Sequence, residues 1–352
     1  MIVPTYNEEA TIEKKLQNTL RQDYPKELLE LVIIDSGSTD KTVDLIEKFI
    51  TANPGIEVLF IKEKKRKGKS HAVNIAYPKS SGYIKIISDA DAHLDQKAIK
   101  RLVCNFKDPG IGAATGRQIL INPKESGATR AEQVYGNIYE TLRLGESIMD
   151  STPIFRGELS AYRTDLVEPI PENTSADDSR LANIIRKKGY RAVFDANAVF
   201  YEYATPSFRG RLIQKIRRGQ GLIRIFWDYK DVLFRPKYGK YGLIIMPAEF
   251  FMHIISPFLV ISFLICLFLT LFWAYSLFET YHMLFFLTCL FLVYLADRFN
   301  LRNVKIKDFA TSFLSSQFML FMGLIYWISG RSLHKWQKIE EIRRKWISET
   351  PQ

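Results

Sequence analysis

The sequence predicts an α/β fold: a mostly parallel, Rossmann-like sheet covered by helices on both faces, followed by a C-terminal helical transmembrane region. Three observations carry this. Short apolar runs alternate with amphipathic helical patterns from the start of the chain, as strands and crossover helices do. Carboxylates stand immediately after two of the predicted strands, where open α/β sheets bind ligands. From about Leu243 the mixed character gives way to long runs of Phe, Leu and Ile.

The elements follow in order. Ile2–Val3 form a short first strand, and Glu8–Arg21 reads as a helix. So short a strand at the start is expected of a chain that begins abruptly, through a late start codon or a trimmed N-terminus, with room for an upstream membrane helix. Leu31–Ile34 is a buried strand ending at Asp35. The polar turn Ser36–Asp40 leads into a helix over Lys41–Thr51, with Val43, Leu45, Ile46, Phe49 and Ile50 as its apolar residues. Glu57–Lys62 is a strand, Lys69–Ala76 a helix and Tyr83–Ser88 a strand. Gly110–Ile121 is strand-rich and Ala131–Asp150 helical. Phe155–Tyr162 reads as a strand with a Gly turn, and Asp177–Lys188 as a helix whose acidic start suits its dipole. Arg191–Tyr201 is strand-like, and Phe208–Phe226 a basic amphipathic helix.

Three apolar segments close the chain. Phe250–Tyr275 is long enough to cross a bilayer; Tyr281–Ala296 is shorter, with flanks that extend it; Phe309–Ser329 would reach ~31 Å as a helix. Each also fits a buried core helix. Basic residues follow the second segment (Arg298, Arg302, Lys305, Lys307) and the third (Arg331, Lys335, Arg343, Arg344, Lys345). The positive-inside rule puts both flanks in the cytoplasm, which three full spans do not satisfy. Either one segment lies in the interface or re-enters, or the last basic helix, Ser332–Trp346, sits outside.

The net charge of +11 admits nucleic acid, an anionic membrane surface or anionic substrates as partners. The basic clusters beside the apolar runs favour the last two. Zinc-finger spacing and RNA-binding aromatic motifs are missing, so no nucleic-acid partner is expected. Cys104, Cys266 and Cys289 are too few and too irregular for a disulfide framework or a cysteine metal site. That fits a reducing compartment. No signal peptide is visible.

Chemistry is carried by five motifs. In Ile86-Ile87-Ser88-Asp89-Ala90-Asp91, two carboxylates two residues apart follow an apolar strand. They suit Mg2+ or Mn2+, hard cations that take oxygen ligands and bridge to substrate phosphates. His93 is available as a further ligand. Alone, the triplet also reads as a solvated turn or helix cap. Pro4-Thr5-Tyr6-Asn7-Glu8 and Asp35–Asp40 bring carboxylates and hydroxyls to strand ends, where they can bond a base and ribose with Tyr6 packed on the base. Thr5 or Asn7 and Ser38–Asp40 equally fit helix caps. Lys64–Ser70 places a glycine in a basic loop before a helix, which suits phosphate, without the spacing of a P-loop. Ser175–Leu181 sets Asp177 and Asp178 at a helix start, as a general base or as caps. Gln214-Lys215-Ile216-Arg217-Arg218 offers Arg217 as a bidentate diphosphate clamp, or lies on lipid headgroups as an interfacial helix.

Taken in order, Pro-Thr-Tyr-Asn-Glu-Glu, Asp-x-Gly-Ser-x-Asp, Gly-Lys-x-x-Ala-x-Asn and Asp-Ala-Asp resemble the inverting family 2 glycosyltransferases of the GT-A fold, over roughly residues 1–225. The resemblance implies that Thr5, Tyr6, Glu8 and Asp35, with Pro4 beside them, contact the nucleoside. Lys69 would meet the diphosphate, Asp89 the ribose or uridine, and Asp91 the metal. The Asp177-Asp178 pair matches the acceptor-side carboxylates of processive-type relatives, which selects Asp178 as the base. The segment Arg156–Tyr162 resembles their acceptor-side strand. Gln214–Arg218 resembles the Gln-x-x-Arg-Trp motif of cellulose-, chitin- and hyaluronan-synthase-like enzymes, with Arg218 in place of Trp. Many members carry two consecutive aspartates where this chain has Asp35-Ser36.

Together these readings predict a GT-A domain over 1–205 and amphipathic interface helices over 206–242. Transmembrane helices over 243–330 (about 250–275, 279–297 and 309–329) and a basic tail over 331–352 follow. The expected activity is inverting transfer of a sugar from a nucleotide-diphosphate donor, UDP-linked by preference, to an acceptor hydroxyl. The acceptor is a lipid-linked sugar or polysaccharide. The expected setting is a multi-pass cell-membrane protein with its catalytic domain cytoplasmic and in contact with membrane lipids. A polyprenyl-phosphate glycosyltransferase and a non-catalytic nucleotide-sugar-binding membrane protein are the alternatives.

Overall fold

The computed structural model describes residues 1–172, 174, 176–277 and 304–331. The expected apolar segment Tyr281–Ala296 and the tail beyond Arg331 lie outside the described residues.

An eight-stranded sheet organises the chain. The strands are β1 (Ile2–Thr5), β2 (Leu31–Asp35), β3 (Val58–Lys62), β4 (Ile84–Ile87), β5 (His93–Leu94), β6 (Ile111–Leu120), β7 (Ser160–Arg163) and β8 (Arg191–Glu202). Their order across the sheet is β3-β2-β1-β4-β7-β6-β8-β5. The first four run parallel. β7 is antiparallel to both β4 and β6, and β6 pairs parallel with β8. β2 is buried at every position, as an interior parallel strand must be.

The chain leaves β1 toward β2 on one side, while β4 lies on the other. The carboxyl ends of β1 and β4 therefore flank a topological switch point, where such sheets open a ligand crevice. Thr5 and Tyr6 leave one of these ends, and Asp89 and Asp91 follow the other.

The helices cover the sheet as amphipathic stripes. They are α1 (Ile12–Leu20), α2 (Thr42–Ala52), α3 (Lys69–Ala76), α4 (Ala98–Cys104), α5 (Gly127–Met149), α6 (Asp177–Lys187) and α7 (Phe208–Asp228). Ile12 and Leu16 of α1 join Ile46 and Phe49 of α2 on one face of the sheet; Ala72, Val73 and Ala76 of α3 join Leu181 and Ile185 of α6 on the other. A capping box of Ser126 and Thr129 starts α5, and the Ser207 side chain caps α7.

Two elements differ from expectation. α1 starts at Ile12 rather than Glu8 because residues 7–9 are tied to the neighbouring turn. Asn7 sits at φ +52° and its N–H donates to Ser38 Oγ at 2.7 Å, while Glu8 N–H donates to Thr42 Oγ1 at 2.6 Å. The strand expected over Phe155–Tyr162 begins only at Ser160; residues 155–159 are loop, with the expected turn at Gly157. Their backbone is held by side chains instead of a ladder: Phe155 N–H donates to Ser179 Oγ (3.0 Å) and Arg156 N–H to Thr115 Oγ1 (3.0 Å).

Beyond α7, a helical stretch runs from Tyr241 through π turns at Tyr241–Ile245 and Phe251–Ile255, with α8 (Met246–Phe250) between them, into α9 (Ser256–Leu277). A last helix, α10, spans Val304–Ile328. Tyr241–Trp273 and Thr311–Ile328 are long and apolar enough to cross a membrane. They differ in their surroundings. Most of Phe258–Trp273 is exposed, whereas Leu320 and Leu324 of α10 are buried with Leu222, Ile223 and Phe226 of α7. The close approach needs glycine: a Cβ on Gly323 would stand 3.1 Å from Gln220 N.

Candidate active site

One cleft lies over the carboxyl ends of β1 and β4 and is closed on its far side by α7. Pro4, Thr5, Tyr6, Glu8, Lys69, Asp89, Asp91, Asp177, Asp178, Gln214, Arg217 and Arg218 all line it. Of the residues singled out from sequence, Asp35 and His93 do not. The Asp35 carboxylate turns into its own loop, accepting from Gly37 N–H (3.0 Å), Ser38 N–H (2.9 Å) and the Ser38 hydroxyl. Its neighbour Ser36 reaches the cleft instead. His93 sits in β5, with Nε2 3.3 Å from Asn18 Nδ2 and its ring against Tyr201.

The donor-side groups are held from several elements. Gly68, at φ +111°, supplies the backbone turn that starts α3 and points Lys69 inward. Lys69 Nζ contacts Asp89 Oδ1 at 2.5 Å and Gly157 O at 3.3 Å. Burial alone would lower the Lys69 pKa, but Asp89, Asp177 and Asp178 together raise it, so the cation persists at every physiological pH. The Arg66 guanidinium stacks over the Tyr6 ring, 4.2 Å from its centroid.

A second buried lysine supports the Asp89–Asp91 turn from behind. Lys15 Nζ donates to Ser88 Oγ (2.6 Å) and Ala92 O (2.8 Å), and Ser88 Oγ donates to Glu158 O (2.8 Å). Burial lowers its pKa to about 7 against the pull of Asp89 and Asp91. Lys15 lies on the same face of α1 as Ile12 and Leu16, and only its charge makes it read as a surface residue in the sequence.

The Asp177-Asp178 pair opens α6. Asp178 Oδ1 accepts from Ser179 N–H at 2.8 Å. Burial and the charge of Asp177 push the Asp178 carboxyl up to about 7, with Arg218 and Lys69 limiting the rise. A Cβ added to Gly157 would stand 2.8 Å from Lys69 Nζ and 3.5 Å from Asp178 Oδ2, so the two groups approach each other over this glycine. A carboxyl that titrates near neutrality beside a fixed cation can take a proton from a bound hydroxyl.

The inner wall was not legible as a site. Glu132 of α5 bonds Lys215 (2.6 Å) and Arg211 (3.1 Å) of α7. Gln118 donates to Glu202 at the ends of β6 and β8. Helical periodicity places such residues on faces but cannot say which faces meet.

The donor set suits a divalent cation of the oxygen-loving kind. Asp91 lines the cleft beside Asp89, and among the described residues no group of three or more His, Cys, Asp or Glu forms a closed cage. A cation held by one or two carboxylates and completed by substrate phosphates and water needs no such cage.

Comparisons with known proteins bear on the fold and the family. The poly-β-1,6-N-acetyl-D-glucosamine synthase of Staphylococcus aureus (strain COL) is 25% identical over 268 residues, which cover 75% of this chain and 63% of that protein. The chain thus spans less than two thirds of that relative's length. The hyaluronan synthase of Streptococcus pyogenes is 30% identical over 173 residues, 48% of this chain and 41% of that enzyme. Among solved structures, the mannosyltransferase PcManGT from Pyrobaculum calidifontis, in complex with GDP-Man and Mn2+, superposes with a TM-score of 0.75 at 28% identity, covering 94% of this chain and 87% of that one. The fold is accordingly the GT-A-like α/β fold of nucleotide-sugar transferases. The sequence profile described as glycosyl transferase family 2 matches residues 1–170. The first part of the chain, with β1, the Asp89-Ala90-Asp91 turn and the loop under Lys69, is a family 2 glycosyltransferase domain.

Proposed function

We propose that the protein is an inverting, metal-dependent glycosyltransferase that moves a sugar from a nucleotide-diphosphate donor to an acceptor hydroxyl at the cytoplasmic membrane face. One observation carries this reading: Asp89, Asp91, Lys69, Arg217 and the Asp177-Asp178 pair, far apart in sequence, line a single cleft at the switch point of the sheet.

The roles follow from the chemistry. Pro4, Thr5, Tyr6 and Glu8 surround the nucleoside end. Asp91, with Asp89 beside it, would hold Mg2+ or Mn2+, and the cation would supply positive charge against the departing diphosphate. Lys69 and Arg217 bind that diphosphate through charge-assisted hydrogen bonds. Asp178 accepts the proton of the attacking hydroxyl, and attack opposite the leaving group inverts the anomeric centre. Gln214 and Arg218 stand on the acceptor side. Tyr241–Trp273 anchors the domain in the membrane, and α10 rests on α7 at its surface. The acceptor is a lipid-linked sugar or polysaccharide, a reading supported by the polymer synthases named above.

The direct test is a donor screen on purified full-length protein with Mg2+ or Mn2+, reading released nucleoside diphosphate. UDP- and GDP-linked sugars both belong in it. The sequence favours uridine, while the mannosyltransferase of similar fold binds GDP-Man. Metal-dependent release from at least one donor is expected. Binding of donors with no release under any condition would instead indicate a non-catalytic nucleotide-sugar-binding protein.

A further inference from the structure

The inner end of the cleft holds more positive charge than the proposed reaction accounts for. Arg156 and Arg218 both line the cleft; Arg156 also lines a small cavity behind it, whose wall includes Arg143. Arg156 and Arg143 are almost fully buried, at 3% and 4% exposure. Among the described residues their Nε–H groups have no hydrogen-bond partner. Arg218 Nη2 donates to Phe155 O at 3.5 Å, its one hydrogen bond among the described residues. Lys215 and Arg211 stand on the same side of α7.

The neighbouring carboxylates do not balance this. Glu132 is already engaged by Lys215 and Arg211. Burial, Glu158 and Asp91 push the Glu202 carboxyl well above its ordinary range, burial with Glu249 pushes Glu146 up to about 9, and Glu249 itself is paired with His253 at 3.0 Å. Glu158 is left facing the arginines. Burial and the nearness of Arg156 and Arg218 lower even Arg143 to about 9. Buried guanidiniums crowded together with unsatisfied N–H groups call for an anion.

We propose that Arg156, Arg218 and Arg143 form a binding site for a phosphate group carried by the acceptor, beside the hydroxyl that reacts. This rests on the glycosyl-transfer reading and names its acceptor class. The donor diphosphate is served elsewhere, by Lys69 at 2.5 Å from Asp89 and by Arg217, whose strongest partner is also Asp89. Arg156 and Arg218 have Glu158 as their first carboxylate neighbour and Glu132 as a further one, and Arg218 also faces Asp178. The arginine site also lies toward the apolar helices: Arg211 Nη1 donates to Ser315 Oγ of α10 at 3.0 Å. Guanidiniums are the groups of choice for bidentate phosphate recognition.

The test is calorimetric binding to the detergent-solubilised full chain with Mg2+, with and without the nucleoside diphosphate identified in the donor screen. The probes are inorganic phosphate and dihexanoyl phosphatidic acid, with dihexanoyl glycerol as the neutral control. Arg156→Gln and Arg218→Gln are each expected to weaken phosphate-probe binding tenfold or more, while nucleotide affinity stays within twofold; Lys69→Ala should do the reverse. Arg156→Lys, which keeps the charge, should retain part of the affinity and show that the site is folded. Tenfold preference for phosphatidic acid over inorganic phosphate identifies a lipid head group; equal affinity identifies a soluble phosphate-bearing acceptor. Both outcomes support the site. Phosphate binding that survives in both glutamine variants overturns it, as does loss in Lys69→Ala to the same degree. Wild-type protein that binds nucleotide but neither phosphate probe also overturns it. Phosphate binding at Arg156 without any nucleotide binding would leave this site standing and remove the transferase reading.

Discussion

Replacing Asp178 with Asn removes one negative charge and the ability to accept a proton, yet changes little else. The amide oxygen can still accept from Ser179 N–H, now 2.8 Å from Asp178 Oδ1, so the start of α6 survives. The fold should therefore hold, and the loss should appear in turnover. A positioned general base contributes about 10²–10⁴-fold, so Asp178→Asn should lower kcat by that range with the donor KM nearly unchanged. The pH profile gives a second signature. With its pKa near 7, about a tenth of Asp178 is ionised at pH 6 and about nine tenths at pH 8. The wild-type rate should thus rise nearly tenfold between these points and then level, because only the ionised form accepts the proton. The variant should lack this acidic limb. The assay is nucleoside diphosphate release with donor and acceptor at saturation, from pH 5.5 to 8.5. Wild-type turnover in Asp178→Asn, or an acidic limb that the substitution leaves in place, would refute the base assignment. A severe loss in Asp177→Asn with none in Asp178→Asn would move the role to its neighbour.

Three further outcomes follow from the same geometry. Asp91→Ala should abolish the strengthening of nucleotide binding by Mn2+, read by titration with and without the ion; retained metal dependence would exclude Asp91 as a ligand. Gly157→Ala should displace the Lys69 ammonium, because the new Cβ would stand 2.8 Å from Nζ. Nucleoside diphosphate affinity should fall about 10-fold, as expected for one charged hydrogen bond of about 1.5 kcal/mol, with unchanged thermal stability; unaltered affinity would show that Lys69 does not hold the donor. Glu132→Gln should destabilise the fold by about 3–5 kcal/mol at neutral pH, since it breaks a buried ion cluster and leaves Lys215 and Arg211 uncompensated. Burial alone would raise the Glu132 pKa, but Lys215 and Arg211 hold it at about 2. Its contribution is complete above the unfolded value near 4.5 and disappears as the pH falls through about 2. The melting-temperature gap between wild type and Glu132→Gln should be wide at pH 6 and close toward pH 2. A gap independent of pH would assign the loss to packing rather than charge.

What the chain's own text discloses depends on whether chemistry is local. Asp89 and Asp91 are legible because a strand ends one residue before them, and the end of a parallel strand is where a crevice opens. Lys69 is legible because Gly68 and the start of α3 adjoin it. Asp35 illustrates the limit. Its position at the end of β2 is as favourable as that of Asp89, yet the turn Gly37-Ser38 captures its carboxylate through two backbone N–H groups and a hydroxyl. The residues that qualify Asp35 for a ligand qualify it equally for an Asx-type turn, and only the placed backbone decides between them. Lys15 and Arg156 fail for the opposite reason. Lys15 shares the buried face of α1 with Ile12, Leu16 and Thr19, where its charge alone argues for solvent, and the Ser88–Ala92 turn folds over it and takes up its ammonium. Arg156, read from the sequence only as the start of an acceptor-side segment, owes its charge environment to Arg143 of α5 and Arg218 of α7. Electrostatic sites assembled from three separate elements carry no spacing for a motif to record. The donor side of this cleft is built mainly from short contiguous segments, and the acceptor side from faces brought together by folding. The nucleotide chemistry is therefore written in the sequence, while the nature of the acceptor is written in the charge balance of the folded inner wall.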